Sequence, residues 1–67
     1  MKSEDHYSYN NRGNSKKKLG YYKEAIEDYD EAIRLKKDYS PAYFNRGNSK
    51  SHLGDYAGAI EDYNQVI

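Results

Sequence analysis

Apolar residues in this 67-residue chain recur at helical spacing in two segments. Within each segment they fall at i, i+3, i+4, i+7, i+10 and i+11, which places them on one face of an α-helix. The two sets are Tyr22, Ala25, Ile26, Tyr29, Ala32 and Ile33, and then Tyr56, Ala59, Ile60, Tyr63, Val66 and Ile67. Sustained two-residue alternation is missing, so the pattern does not favour strands.

Turn residues divide the chain into four predicted helices. Gly20 and Gly54 precede the two apolar segments and can end a helix in the left-handed conformation. Upstream of each glycine lies a weaker helical segment. In the second of these, Pro41 suits a first helical turn and Ser40 is the expected N-cap. The predicted helices cover residues 7–18, 22–36, 41–52 and 56–67.

The sequence is also a tandem duplication. Residues 9–33 align with residues 43–67 at an offset of 34, and 16 of the 25 pairs are identical. Each copy contains two predicted helices joined by a glycine turn. The sequence therefore predicts an all-α superhelix, a solenoid of two helix-turn-helix repeats with four antiparallel helices. We expect a tail over residues 1–5, a first repeat over 6–39, and a truncated second repeat without a capping helix over 40–67.

Over residues 6–67 the repeated unit resembles the tetratricopeptide repeat, which has a 34-residue period. The family's motifs appear as Tyr9-x-x-Arg12-Gly13-x-x-Lys16 with Ala25-x-x-x-Tyr29, and as Tyr43-x-x-Arg46-Gly47-x-x-Lys50 with Ala59-x-x-x-Tyr63. The resemblance implies a non-catalytic module that binds other proteins. It also implies that Gly13 lets the second helix of the repeat approach the first, opposite Ala25.

Three positions depart from the family pattern. Arg12 and its counterpart Arg46 stand where an apolar residue is usual, and we expect each to pair with an aspartate of the second helix, Asp28 or Asp62. Lys16 and its counterpart Lys50 replace an aromatic residue, and we expect their stems to cover apolar surface while the ammonium groups stay in water. Lys37 stands where proline is usual, which makes the end of that helix less sharp.

In this family the first helices of successive repeats line a concave groove that binds peptides. Carried over by position, the resemblance implies a peptide-binding set of Asn10, Asn11, Asn14, Lys17, Lys18, Phe44, Asn45, Asn48 and His52, with Ser51 beside them. An asparagine carboxamide both donates and accepts hydrogen bonds, so repeated asparagines can pair with an extended peptide backbone. A solvated helix face without a ligand is the alternative for the same residues.

Two other ligand classes fit parts of this surface less well. Asn14 and Asn45 match two places of the carboxylate clamp found in some family members, but Asn10 stands where that clamp has lysine. The run Lys16–Lys18 suits RNA, yet only Lys50 is retained in the second copy. We therefore expect a protein or peptide partner, with acidic segments favoured by Lys17 and Lys18, rather than nucleic acid.

Charge and composition narrow the function further. Eleven basic and eleven acidic residues balance, which gives no overall attraction to nucleic acid or to an anionic membrane. The acidic run of residues 24–31 is expected to be a solvated helix face. His6 and His52 have no cysteine or further histidine at ligand spacing, so we predict no metal, no cofactor and no enzyme activity. The lack of cysteine and of a long apolar segment favours an intracellular, cytoplasmic chain.

The end of the second repeat has an apolar face that a further repeat would normally cover. We expect this face to contain Tyr56, Ile60, Tyr63, Val66 and Ile67. Either the chain is a fragment of a longer array, or copies associate to cover the face. Self-association through this open end is accordingly the alternative function.

Overall fold

The computed structural model describes residues 5–66, and these residues form four α-helices. The helices are α1 (His6–Lys18), α2 (Tyr22–Leu35), α3 (Ser40–His52) and α4 (Tyr56–Asn64). The prediction of an all-α fold of two helix-turn-helix repeats is confirmed. Among the described residues, no helix is both long enough and apolar enough to cross a membrane.

The turns within the two repeats have the same geometry. Gly20 has a φ of 86° and Gly54 a φ of 88°, the left-handed region that a side chain disfavours. Beyond Gly20, the Tyr21 N–H donates to the Lys16 carbonyl at 2.9 Å, and the Gly20 N–H donates to the Lys17 carbonyl at 2.9 Å. These two bonds form a Schellman motif, which ends α1 and reverses the chain so that α2 packs back against α1.

An aspartate side chain caps the start of two of the four helices, and the other two starts have no side-chain cap. Asp5 accepts from the Ser8 N–H at the start of α1, and Asp55 accepts from the Gly58 N–H at the start of α4. At α3 the capping position is Tyr39, which makes no side-chain cap bond. The expectation that Ser40 caps α3 is therefore wrong, because Ser40 is already the first helical residue.

The core is small and is built mainly from alanine. Ala25, Tyr29, Ala32 and Ala42 have no exposed surface and form one cluster, with Tyr29 as its only large side chain. A Cβ placed on Gly13 would lie 2.6 Å from the Tyr29 ring. The ring of Tyr29, rather than Ala25 as expected, is what requires glycine there, and the aromatic ring fills the space between α1 and α2.

The helix α4 ends at Asn64, three residues before the predicted end at residue 67. The last turn of α2 is held by Ala32, which packs with Ala42 of α3. Within residues 5–66 no helix packs on the corresponding turn of α4, which contacts α3 alone. The expectation that Val66 continues the helix is wrong for this reason.

Candidate functional site

A chain of side-chain hydrogen bonds connects the first helices of the two repeats, α1 and α3. Lys17 Nζ donates to Asn45 Oδ1 at 3.3 Å, and Asn45 Nδ2 donates to Asn10 Oδ1 at 3.2 Å. Asn10 is buried, with 5% of its surface exposed. Both the oxygen and the nitrogen of the Asn45 carboxamide are thus bonded within the protein. The main role of Asn45 is therefore to join the two repeats.

Two further asparagines are held by tyrosines of the second helices, of which Tyr29 is buried and Tyr63 partly buried. The Tyr29 hydroxyl donates to Asn14 Oδ1 at 2.6 Å, and the Tyr63 hydroxyl donates to Asn48 Oδ1 at 2.5 Å. Neither amide nitrogen has a hydrogen-bond partner within residues 5–66. The tyrosines therefore orient both carboxamides, with the nitrogens left to donate to a ligand.

A cleft of about 320 Å³ lies where the C-terminal ends of α1 and α3 meet the start of α2. We call it the basic cleft, and it is lined by Lys17, Lys18, Tyr22, Asn48, Ser51, His52 and Tyr63. The rings of Tyr22 and His52 stack across the repeat boundary, with centroids 4.5 Å apart and planes 4° from parallel. The cleft thus combines cationic, amide and aromatic groups.

The basic cleft brings together only part of the predicted peptide-binding set. Lys17, Lys18, Asn48 and His52 line it, and so does Ser51. Tyr22 was predicted only as part of the apolar face of its helix, and Tyr63 as part of such a face and of the open end. Tyr22 comes directly after the glycine turn, and Tyr63 lies opposite Asn48. These positions are the signals that could have placed both residues in the cleft.

The other predicted residues lie elsewhere. Asn11 is exposed on α1, and Asn10, Asn14 and Asn45 lie outside the lining of the basic cleft. Phe44 lines a second cleft, of about 380 Å³, which we call the apolar cleft and which is lined by Phe44, Asn48, Tyr63 and Val66.

Among the residues predicted for self-association, Tyr63 and Val66 therefore line the apolar cleft. Tyr56 is 64% exposed and Ile60 is 59% exposed. Ile67 lies outside the described residues.

Each repeat contains a cluster of one aspartate and two cations. Arg12 makes two hydrogen bonds to Asp28, at 3.0 and 2.9 Å, and Lys16 pairs with the same carboxylate at 3.1 Å. In the second repeat Arg46 bonds Asp62 at 2.9 and 2.7 Å, with Lys50 at 3.4 Å. The expected arginine–aspartate pairs are present. The lysine expectation is wrong, because both ammonium groups bind aspartate instead of extending into water.

The aspartates of these clusters are buried. Asp28 is 4% exposed, so the expectation that the whole acidic run forms a solvated face is wrong at this residue. Burial opposes ionisation of Asp28, but the hydrogen bonds from Arg12 and Lys16 outweigh it and lower the pKa of the carboxyl. In the basic cleft, burial lowers the pKa of Lys17, so its ammonium group is poorly solvated and gains from a nearby anion.

One ion pair joins the two repeats through Arg46 of α3. Arg46 Nη1 donates to Asp30 of α2 at 2.8 Å, while its other nitrogens hold Asp62. The hydrogen bonds to Asp62 and then to Asp30 raise the pKa of Arg46. At the position corresponding to Asp30, the second repeat has Asn64.

The chemistry of the basic cleft suits binding. Its lysines and amide nitrogens complement carboxylates and peptide carbonyls, and its rings offer flat apolar area. Within the described part of the chain, no three histidine, aspartate or glutamate side chains are grouped so as to hold a metal ion.

Comparison with known proteins follows the repeat pattern. The family model described as TPR repeat matches residues 13–51, and the model described as Tetratricopeptide repeat matches residues 40–67. No curated protein matches the chain. The first match includes the turn, the second helix and most of α3, and therefore spans the junction that holds the basic cleft.

Proposed function

This chain belongs to the tetratricopeptide repeat family, whose members generally mediate protein–protein interactions without catalysis, and we propose that it binds an extended acidic peptide between α1 and α3. The observation that carries the proposal is the basic cleft, where Lys17, Lys18 and His52 converge from two repeats. Such a site is short, so we expect weak binding, with dissociation constants of roughly 10–100 μM.

Two kinds of contact would hold the peptide. The amide nitrogens of Asn14 and Asn48, oriented by Tyr29 and Tyr63, would donate to peptide carbonyl groups. An acidic side chain would pair with Lys17 and Lys18. Because the Lys17 ammonium is partly desolvated, a carboxylate there gains more than it would beside a fully exposed lysine.

The first test is substitution of Lys18, which is exposed and lines the basic cleft. We expect Lys18→Gln to weaken binding of acidic peptides about two- to five-fold, the value of one exposed ion pair. Fluorescence anisotropy with a set of labelled acidic, neutral and basic peptides provides the measurement. The matched control is Lys23→Gln, which removes an exposed lysine of α2 outside the cleft and should leave the affinity unchanged.

Two results would contradict this proposal. Equal affinity for acidic and neutral peptides would show that the lysines of the basic cleft do not contribute to binding. Equal weakening by Lys18→Gln and Lys23→Gln would indicate attraction by overall charge instead of a site. A steep fall of affinity for single-stranded RNA with salt, together with no peptide binding, would favour the nucleic-acid alternative.

A second candidate function is self-association through the open end of the second repeat. The exposure of Tyr56 and Ile60, together with the apolar cleft of the same repeat, favours it. An apolar surface of this kind gains free energy when a partner covers it. Sedimentation velocity across a dilution series tests this candidate, since a molar mass that stays at the monomer value up to millimolar concentration would contradict it.

A further inference from the structure

The contact between the two repeats within the chain is the basis of this inference, which rests on the second candidate function. Helix α3 packs on the first repeat through four positions, at i, i+3, i+4 and i+7, which share one helix face. We call them the docking row of α3, and they are Ala42, Asn45, Arg46 and Ser49. Ala42 and Ser49 are fully buried, Asn45 bonds Asn10, and Arg46 bonds Asp30.

Helix α1 has the same row 34 residues earlier, where it is exposed. The docking row of α1 is Ser8, Asn11, Arg12 and Ser15, identical to that of α3 at three of its four positions. Ser8, Asn11 and Ser15 are exposed, and the Arg12 side chain is 51% exposed while it holds Asp28. Since Arg46 holds Asp62 and still reaches a second repeat, the bonds of Arg12 within its own repeat are compatible with the same role.

The second repeat carries the surface that such a row would cover. On the first repeat, Tyr22 and Ile26 are partly buried, and His52 of α3 stacks on Tyr22. Their counterparts on the second repeat, Tyr56 and Ile60, are 64% and 59% exposed. The apolar cleft belongs to the same repeat, and Phe44 in its lining stands at the position that corresponds to Asn10.

The second repeat lacks one contact of the internal junction, because Asn64 stands in place of the aspartate that Arg46 binds in the first repeat. A neutral carboxamide at this exposed position accepts a weaker hydrogen bond than a carboxylate does.

We propose that a second copy of this chain docks its α1 on the second repeat, in the register in which α3 docks on the first, so that copies associate head to tail. In this register Asn11 of one copy lies next to Phe44 of the other, and Arg12 lies next to Asn64. The contact is heterologous, so it can extend beyond a dimer. The residue at position 64 affects the association constant of this contact.

The register can be tested by disulfide cross-linking, because the chain has no cysteine of its own. The Asn45–Asn10 pair, 3.2 Å between side-chain atoms, corresponds to Asn11 of one copy and Phe44 of the other. We expect mild oxidation of a mixture of Phe44→Cys and Asn11→Cys chains to give the mixed dimer at least five-fold faster than a mixture of Phe44→Cys and Glu27→Cys. Glu27 is exposed on α2 and serves as the control.

The strength of the contact is tested at position 64. We expect Asn64→Asp to raise the association constant of the chain about two- to five-fold, by adding the ion pair to Arg12, and Asn64→Ser to leave it unchanged or lower it. Sedimentation equilibrium measures both variants. The gain from Asn64→Asp should disappear in 1 M salt, because this pair lies at an exposed position.

The outcomes of these experiments distinguish the head-to-tail register from self-association in general, on which the register rests. A monomer at all concentrations would overturn both. Association without preferential Phe44–Asn11 cross-linking, or without a response to Asn64→Asp, would overturn the register and leave self-association in place. Fast formation of the Phe44–Asn11 link together with stronger association of Asn64→Asp would support the head-to-tail contact.

Discussion

At the scale of single residues, Ser49 has the least favourable environment in the described chain. Its side chain is fully buried in α3, and its hydroxyl has no hydrogen-bond partner within residues 5–66. Its counterpart Ser15 in α1 has the same sequence position in the repeat but is exposed. The free-energy cost of the Ser49 hydroxyl therefore comes from the packing of α3 on the first repeat, which removes water from it.

We expect Ser49→Ala to raise the free energy of unfolding by about 1–2 kcal/mol, because a buried unpaired hydroxyl is removed. Ser15→Ala is the matched control. Both changes gain roughly 0.5 kcal/mol of helix propensity, so the difference between them isolates the desolvation of the hydroxyl. Urea unfolding followed by circular dichroism, at one protein concentration, gives both values. Equal stabilisation by the two changes would show that burial of the Ser49 hydroxyl does not destabilise the fold.

At the scale of helices, each repeat depends on a close approach of its two helices at a glycine. Gly13 lies against the Tyr29 ring, which is fully buried and held by its hydrogen bond to Asn14. Gly47 lies against the Tyr63 ring, where a Cβ would be 2.8 Å away, but Tyr63 is only partly buried. The two contacts are similar in geometry and differ in how far the ring can move.

We expect Gly13→Ala to destabilise the chain by about 1–2 kcal/mol in spite of the helix propensity it gains. Alanine gains about 1 kcal/mol over glycine in a helix, but a methyl group at 2.6 Å from an immobile ring costs more than that in overpacking. Gly47→Ala should cost less, since Tyr63 can shift toward the apolar cleft. Thermal and urea unfolding of both variants provide the comparison. A Gly13→Ala variant more stable than the original chain would contradict the close approach.

At the scale of the whole molecule, the fold combines a small apolar core with a buried ion cluster in each repeat. The core contains four fully buried residues, three of them alanine. The Asp28 and Asp62 clusters occupy places between helices where the family usually has apolar contacts. A buried carboxylate that holds two cations is costly to disrupt, because removal of one partner leaves charge unpaired. Stability should therefore respond strongly to pH.

Acid unfolding reports this dependence through Asp28. Its pKa in the folded chain is lowered from the ordinary value of 3.8, so the unfolded chain binds protons first as the pH falls. The stabilisation from Asp28 is thus complete above the unfolded pKa and is lost as the pH falls through the folded one. Arg12→Lys keeps the charge but removes the two-pronged hydrogen bond, so the pKa of Asp28 should rise toward 3.8.

We expect Arg12→Lys to move the acid midpoint of helix loss upward by roughly half a pH unit. Circular dichroism between pH 6 and pH 1.5 measures the midpoint. Lys23→Arg, an exchange of cations at an exposed position of α2, is the control and should leave the midpoint in place. A midpoint unchanged by Arg12→Lys would mean that Asp28 does not govern acid stability.

Local pattern was sufficient to predict most of the architecture. The spacing of apolar residues predicted the four helices, and the duplication with its motifs predicted the family. The arginine–aspartate pairs could also be predicted, because Arg12 and Asp28 stand at matching positions of two helices joined by a short turn. Neighbours in sequence determine these features through backbone propensity and helix periodicity.

The environment of each polar residue was decided only by the tertiary structure. Asn11 and Asn45 are equivalent in sequence, yet Asn11 is exposed while Asn45 bonds Asn10 and Lys17, because only Asn45 lies on a helix with a repeat packed before it. In the same way, packing between helices buries Ser49 and directs Lys16 to Asp28, whereas α4 ends at Asn64, where no helix among residues 5–66 packs on its last turn. The sequence by itself determined the repeated unit. The neighbour against which each copy packs determined which of its identical residues are exposed, because burial and partners depend on helices that lie far apart in the chain.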